Sequence, residues 1–315
     1  MNTFRLFTRR IPNATYLFVG LVILFSLISP HFLSINNISN ILLQGSVLLI
    51  ISLGITVVMI SNGIDLSVGA LASLTGMVAG FALSFKWGIL PAVLLGVSLG
   101  SAAGFFVGIL ISRLRFPPFI ATFGLMGVYQ GIALYSNKGK SIYWDPSAFD
   151  FIGSGYLLGI GFPIWIAASL FLLVYILLYR TPFGVHVYAI GGNEEGLRLS
   201  GVNVAHCKTK IYLFCGLMAS IAGLVQASRI CSGHPVVGLG YEFEAIASAV
   251  VGGTAFFGGQ GGIVGTLFGV LVIIVLRNGF NLLGLTTPYQ YCAVGTILAV
   301  GMTLNTLRYR KGEER

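Results

Sequence analysis

Residues 181–204 read TPFGVHVYAIGGNEEGLRLSGVNV, the one long polar interruption in a sequence that otherwise passes from one apolar stretch to the next. Arg180, Glu194, Glu195 and Arg198 crowd into it, with Lys208 and Lys210 just beyond, in a chain that is only 9% charged. Charge that dense must face water, so the apolar runs on either side read as membrane spans. From Glu194 the pattern EEGLRLSG predicts a short helix. Asn193 is in place to act as its N-cap, and the two carboxylates fall in the first turn, where the helix dipole favours them. Gly201 supplies the stop. A capped polar helix between two spans suits the groove of a partner protein; an ordinary solvated loop would have the same shape.

Working outward, 56% hydrophobic content and a mean hydropathy of +0.92 leave 315 residues too little polar surface to coat a soluble globule. The class is an all-α integral membrane protein. A net charge of +9 would suit nucleic acid, but the basic residues stand singly between apolar runs and form no stripe. Lipid, and no nucleic acid, is the expected partner. Arg5, Arg9 and Arg10 precede the run 16–29 in the order of a secretory signal, without an A-x-A-like site after it, so that run reads as a retained first span. Further runs at 38–61, 67–85, 88–112, 119–136, 161–179, 211–228, 243–257, 262–283 and 289–307 bring the expectation to about ten transmembrane helices of about 15 to 25 residues. With the N-terminus inside, thirteen of the eighteen Lys and Arg fall on the inner side. That bias places both termini in the cytoplasm.

Familiar catalytic patterns fail. The polar segment 137–159, expected outside, contains GKS, but a phosphate-binding loop needs a glycine where Leu134 stands. The histidines, His31, His186, His206 and His234, are isolated, and no spacing of His, Cys or carboxylates suggests a metal. Cys207, Cys215, Cys231 and Cys292 show no C-x-x-C and are expected as free thiols. Catalytic residues, metal and bound cofactor are therefore all expected to be absent. The 43 glycines gather in the spans, where small residues let helices approach closely, a packing signal more than a pore signal.

Four stretches together resemble the ribose-type permeases, the membrane subunits of ATP-binding-cassette sugar importers. They are PHFLSINNISNILLQGSV (30–47), NGIDLSVGALASLTG (62–76), YAIGGNEEGLRLSGVN (188–203) and GYEFEAIASAVVGGTAFFGGQG (240–261). The resemblance covers nearly the whole chain. It implies one permease domain over 1–315 with a cytoplasmic coupling loop at 180–210, in which Gly191, Gly192, Asn193, Glu194, Glu195, Arg198, Leu199, Ser200 and Gly201 dock on the ATPase subunit. It also implies a bacterial inner-membrane location, a second permease subunit, and a periplasmic sugar-binding protein. ATP and magnesium would sit on the ATPase, not on this chain. Gradient-driven transport is the alternative, and it predicts ionisable residues at mid-span, where none stands clearly.

A faint internal repeat, spans 2–5 against 7–10, suggests halves of opposite orientation with the substrate path between them. Asp65 opens one half and Glu244 the other, so one carboxylate is expected near the cytoplasmic end of the path and its counterpart near the periplasmic end. Asp65, Ser67, Glu242, Glu244, Arg277 and Asn278 are the candidate path or gate residues. For the two carboxylates the competing expectation is simple helix capping; for Arg277 it is snorkelling to the periplasmic interface. Phe243, Glu244, Arg277 and Asn305 depart from the pattern usual in the resembled family. Those departures leave the particular sugar open, with ribose the first expectation.

Overall fold

The computed structural model describes residues 12–313, with the side chains of 13, 302 and 304–313 excepted. Arg5, Arg9, Arg10, Asn305 and the basic residues after position 307 therefore lie outside the described residues or side chains. The fold is all-α. In order come α1 (Asn13–Ile28), α2 (Ile35–Ile60), α3 (Val68–Ser84), α4 (Ile89–Ser112), α5 (Pro118–Ser136), a short α6 (Phe151–Ser154) and α7 (Phe162–Arg180). Then follow α8 (Pro182–Leu199), α9 (Val204–Arg229), α10 (Tyr241–Val251), α11 (Ile263–Leu282) and α12 (Thr287–Glu313). Two-residue strands tie the loops, β1 (Ile142–Tyr143) pairing with β4 (Ser232–Gly233) and β2 (Tyr156–Leu157) with β3 (Ile160–Gly161).

Each apolar run of the sequence coincides with a helix. Among the described residues, six helices are long and apolar enough to cross a membrane: α2, α4, α5, α7, α9 and α11. The expected span at 243–257 is not one helix. It ends at Val251, because Gly252 packs against the backbone of Gly265 and the chain then turns through Gly253, Gly258, Gly259 and Gly261, all at positive φ. Eleven residues at 1.5 Å each give about 16 Å, roughly half a bilayer core.

A helix that is apolar all round belongs in the interior. α2 and α9 obey this, each 83% buried over its most apolar stretch, whereas α5 and α7 are only 17% and 22% buried and form the rim. Close approach is made by glycines. On α4 the four-residue series Gly96, Gly100, Gly104 and Gly108 lies against Leu224, Ser220, Gly216 and Thr209 of α9. On the far side of α9, Gly223 meets Ala72 of α3, and Gly76 of α3 meets Ala227. Dispersion over such contacts holds helices together where lipid is as apolar as leucine. Ser34 caps α2 through the amide of Asn37 at 3.4 Å.

The two ends of the bundle are marked by contacts. Gly161 packs on Leu43 near the start of α2, while Gly191 packs on Ile60 at its end. The 17 residues between Leu43 and Ile60 span about 25 Å. At the first end Lys86 reaches Asp145 at 3.5 Å, both exposed.

Candidate functional site

The charged segment is more ordered than the sequence predicts. α8 starts at Pro182, twelve residues before Glu194, with proline in the first turn where it suits a helix. Gly184, Val187 and Ile190 give it a buried stripe. The segment up to Gly192 is therefore helix rather than polar loop, a correction explained by that apolar spacing. At Asn193 the backbone breaks to φ −156°, ψ 90°, and a second helical piece begins. The Gly196 amide donates to Asn193 Oδ1 at 2.8 Å, the capping geometry the sequence predicts. The Arg198 guanidinium lies on the Glu195 carboxylate, which holds its pKa above the ordinary value. Lys208 Nζ of α9 meets Glu194 Oε2 at 2.7 Å. The piece ends at Ser200 and Gly201, the latter at φ +86°, with Leu199 projecting to 78% exposure.

The inner side of α8 is anchored. Tyr188 Oη donates to the Gly261 carbonyl at 2.8 Å, and the Gly259 amide donates to the Ile60 carbonyl at 2.8 Å. Burial pushes the Tyr188 phenol well above its usual range. Backbone atoms of Ile60 and Gly259 occupy the space a side chain at Gly191 would need, whereas nothing lies near the corresponding position of Gly192. The part of α8 just before the charged knob thus rests on the end of α2 and on the glycine turn between α10 and α11.

The second cluster lies between α3 and α10. Asp65 is buried, and its Oδ1 accepts from the Ser67 amide at 2.9 Å and the Ser67 hydroxyl at 2.6 Å. From β4 the chain runs back along α3: Gly233 packs on Gly76 and Met77, and Gly238 on Gly69 and Ser73. The Gly238 amide donates to Ser73 Oγ at 2.8 Å. This course delivers the start of α10 to the start of α3, so that the Glu242 carboxylate sits directly against Gly69. The expected placement of the carboxylate-bearing helix starts at opposite ends of a path is therefore corrected. The sequence could not show that residues 233–238 fold back and bring the two N-termini together.

Glu242 Oε1 accepts from the Gly240 amide at 3.1 Å, while its buried Oε2 has no hydrogen-bond partner among the described residues. Glu244 turns instead to α11, where Arg277 Nη1 donates to both its oxygens at 2.9 and 2.7 Å. The Arg277 side chain is 28% exposed and its guanidinium is held by Glu244, which is 9% exposed. Asn278 exchanges two amide hydrogen bonds with Asn37, at 2.9 and 2.7 Å, clamping α11 to the beginning of α2.

Beside the Glu244–Arg277 pair lies a polar cavity of about 190 Å³, lined by Gln44, Leu48, Gln226, Arg229, Tyr241, Ile274 and Arg277. Of these the sequence reading singled out only Arg277. Lone amides in apolar runs, ILLQGS for Gln44 and LVQAS for Gln226, were the available signal. Among the described residues no group of three or more His, Cys, Asp and Glu is arranged to hold a metal ion.

Comparison with known proteins bears on both clusters. Residues 37–302 match the family described as the branched-chain amino acid transport system / permease component. The ribose import permease protein RbsC of Escherichia coli (strain K12) is 42% identical, the alignment covering 89% of each chain. RbsC of Bacillus subtilis (strain 168) is 41% identical over 90% of this chain and 89% of its own. The D-allose transport system permease protein AlsC of E. coli (strain K12) is 35% identical over 91% and 89%. No solved structure matches the chain. With several apolar helices long enough to span, and a family match over most of its length, the chain is a multi-pass membrane protein and belongs to this family of transport-system permease components.

Proposed function

We propose that the chain is the transmembrane subunit of an ATP-driven, binding-protein-dependent importer of ribose or a related monosaccharide in the bacterial inner membrane. It works beside a second permease subunit, with ATP and magnesium on a separate ATPase and the sugar delivered by a periplasmic binding protein. Ribose and allose appear in the names of the relatives, which supports the substrate class. In this proposal the ten apolar runs form two inverted halves in the membrane, with α10 reaching part of the way across, both termini lie in the cytoplasm, and residues 180–210 form the coupling loop. Support for the halves comes from α3 and α10, helices of 17 and 11 residues whose N-termini adjoin after non-helical stretches, the pattern of discontinuous helices in repeat-built transporters.

The observation that carries the reading is the broken α8: a charged, capped piece beyond Asn193, continuing a helix whose residues Tyr188 and Gly191 are seated on the end of α2 and on the α10–α11 turn. A push on such a knob reaches the helices directly beneath it. The test is uptake of radiolabelled D-ribose into proteoliposomes holding the chain with its ATPase and binding protein. Uptake should need internal ATP and ignore a protonophore. Replacing Glu194 and Glu195 together by Lys should drop it to background at normal expression. Uptake driven by an ion gradient without the ATPase, or normal uptake by the double variant, would refute the proposal.

A further inference from the structure

The cavity beside Arg277 contains more than the ion pair explains. Gln226 is 8% exposed, and its Oε1 has no hydrogen-bond partner among the described residues, an acceptor that would cost about 1–3 kcal/mol if left dry. Arg229 also lines the cavity, and no ion pair is found for it among the described residues, whereas Arg277 is neutralised by Glu244. Gln44 and Tyr241 add an amide and a phenol; Leu48 and Ile274 add apolar wall.

The geometry points to this cavity as a binding subsite, inside the permease itself, for a neutral polyhydroxylated ring of monosaccharide size. The argument is one of complementary hydrogen bonding. Gln226 Oε1 needs a donor, and the guanidiniums of Arg229 and Arg277, which carry no acceptor, need acceptors. A carboxylate or phosphate could serve the arginines but offers nothing to Oε1. A sugar hydroxyl donates and accepts at once, so adjacent hydroxyls of one ring can satisfy both sides. Leu48, Ile274 and the Tyr241 ring would face its C–H edges. The volume of about 190 Å³ is of the size of a monosaccharide ring. Glu244 acts as a positioning residue, fixing the Arg277 guanidinium at the wall through two hydrogen bonds.

This inference rests on the sugar-permease reading and adds that the membrane subunit, and not the soluble receptor alone, selects its cargo. The test is saturation-transfer NMR on the full chain in lipid nanodiscs, with D-ribose and acetate as probes. D-ribose should bind the wild type, and acetate, which brings a carboxylate and no hydroxyl, at least tenfold more weakly. Gln226→Leu and Arg229→Met should each weaken ribose binding at least tenfold. Gln44→Leu, at a half-buried position that tolerates change, should weaken it severalfold in a chain that still folds. Absence of ribose binding, tighter binding of acetate, or unchanged binding in all three variants would overturn the subsite. ATP-driven uptake by the assembled complex separates the two claims. Intact uptake without cavity-dependent binding refutes the subsite alone, and loss of all sugar uptake by the wild-type complex refutes the permease reading.

Discussion

Glu244 and Arg277 stand 33 positions apart on different helices, and two hydrogen bonds join them. Glu244 lies in the first turn of α10, where a carboxylate could have served the helix's own amides; its oxygens go to α11 instead. Asp65 shows the opposite outcome, folded back onto Ser67 two residues on, as a local cap does. A charge pair with one member 9% and the other 28% exposed is harmed most by losing one partner. Glu244→Gln should therefore lower stability by about 2–4 kcal/mol, read as thermal unfolding in detergent. Glu244→Leu combined with Arg277→Asn should recover at least half of the loss of Glu244→Leu alone. If the single losses simply add, the pair is not coupled.

At the scale of one element, α8 offers a comparison between neighbours. Gly191 and Gly192 are adjacent glycines, identical to any count of composition, yet one is pressed on backbone and the other faces open space. Gly191→Ala must lift α8 from the end of α2, at about 1–3 kcal/mol, and should break coupling even where the protein is made at normal level. Gly192→Ala should fold as the wild type does or slightly better, since alanine is the stronger helix former. Equal effects of the two changes on ATP-driven uptake would argue that α8 does not transmit through its seat. The cap at Asn193 and the stop at Gly201 were legible in the sequence because they are local. The anchoring of Tyr188 on Gly261 was not, since 73 residues separate the partners.

For the molecule as a whole, hydropathy located the long apolar helices, though not α8, and it could not rank them. That α2 and α9 are interior while α5 and α7 are peripheral follows from which faces find partners, as the glycines of α4 and α5 illustrate, and spacing does not reveal this. Gly127 of α5 has nothing near it; Gly104 of α4 has the Tyr212 carbonyl and the Gly216 backbone against it. Gly104→Val should destabilise the purified chain by about 3 kcal/mol, and Gly127→Val should leave its thermal unfolding unchanged. Similar losses in both would mean that the α4–α9 contact is not a close-packed one. The polar cavity was equally hidden, because its lining residues come from four helices, α2, α9, α10 and α11, and α10 joins the others only after the chain from β4 has folded back along α3.

That folding back has a mechanical consequence. α3, α4 and α9 are locked by glycine contacts into one stiff lobe, and α10 and α11 by Gly252, Gly265 and Gly269 into another. α2 touches both lobes, bonding Thr56 to Thr266 of α11 at 2.8 Å while Gly54 rests on α9. Between the lobes lie the Gly69–Glu242 contact and the cavity walls, with Gln44 and Leu48 on α2, Gln226 and Arg229 on one side, and Tyr241, Ile274 and Arg277 on the other. Lobes packed this tightly resist internal deformation, so in the proposed importer a stroke delivered under α8 should be spent at the seam, where widening by the thickness of a single side chain would open the cavity and closing would empty it.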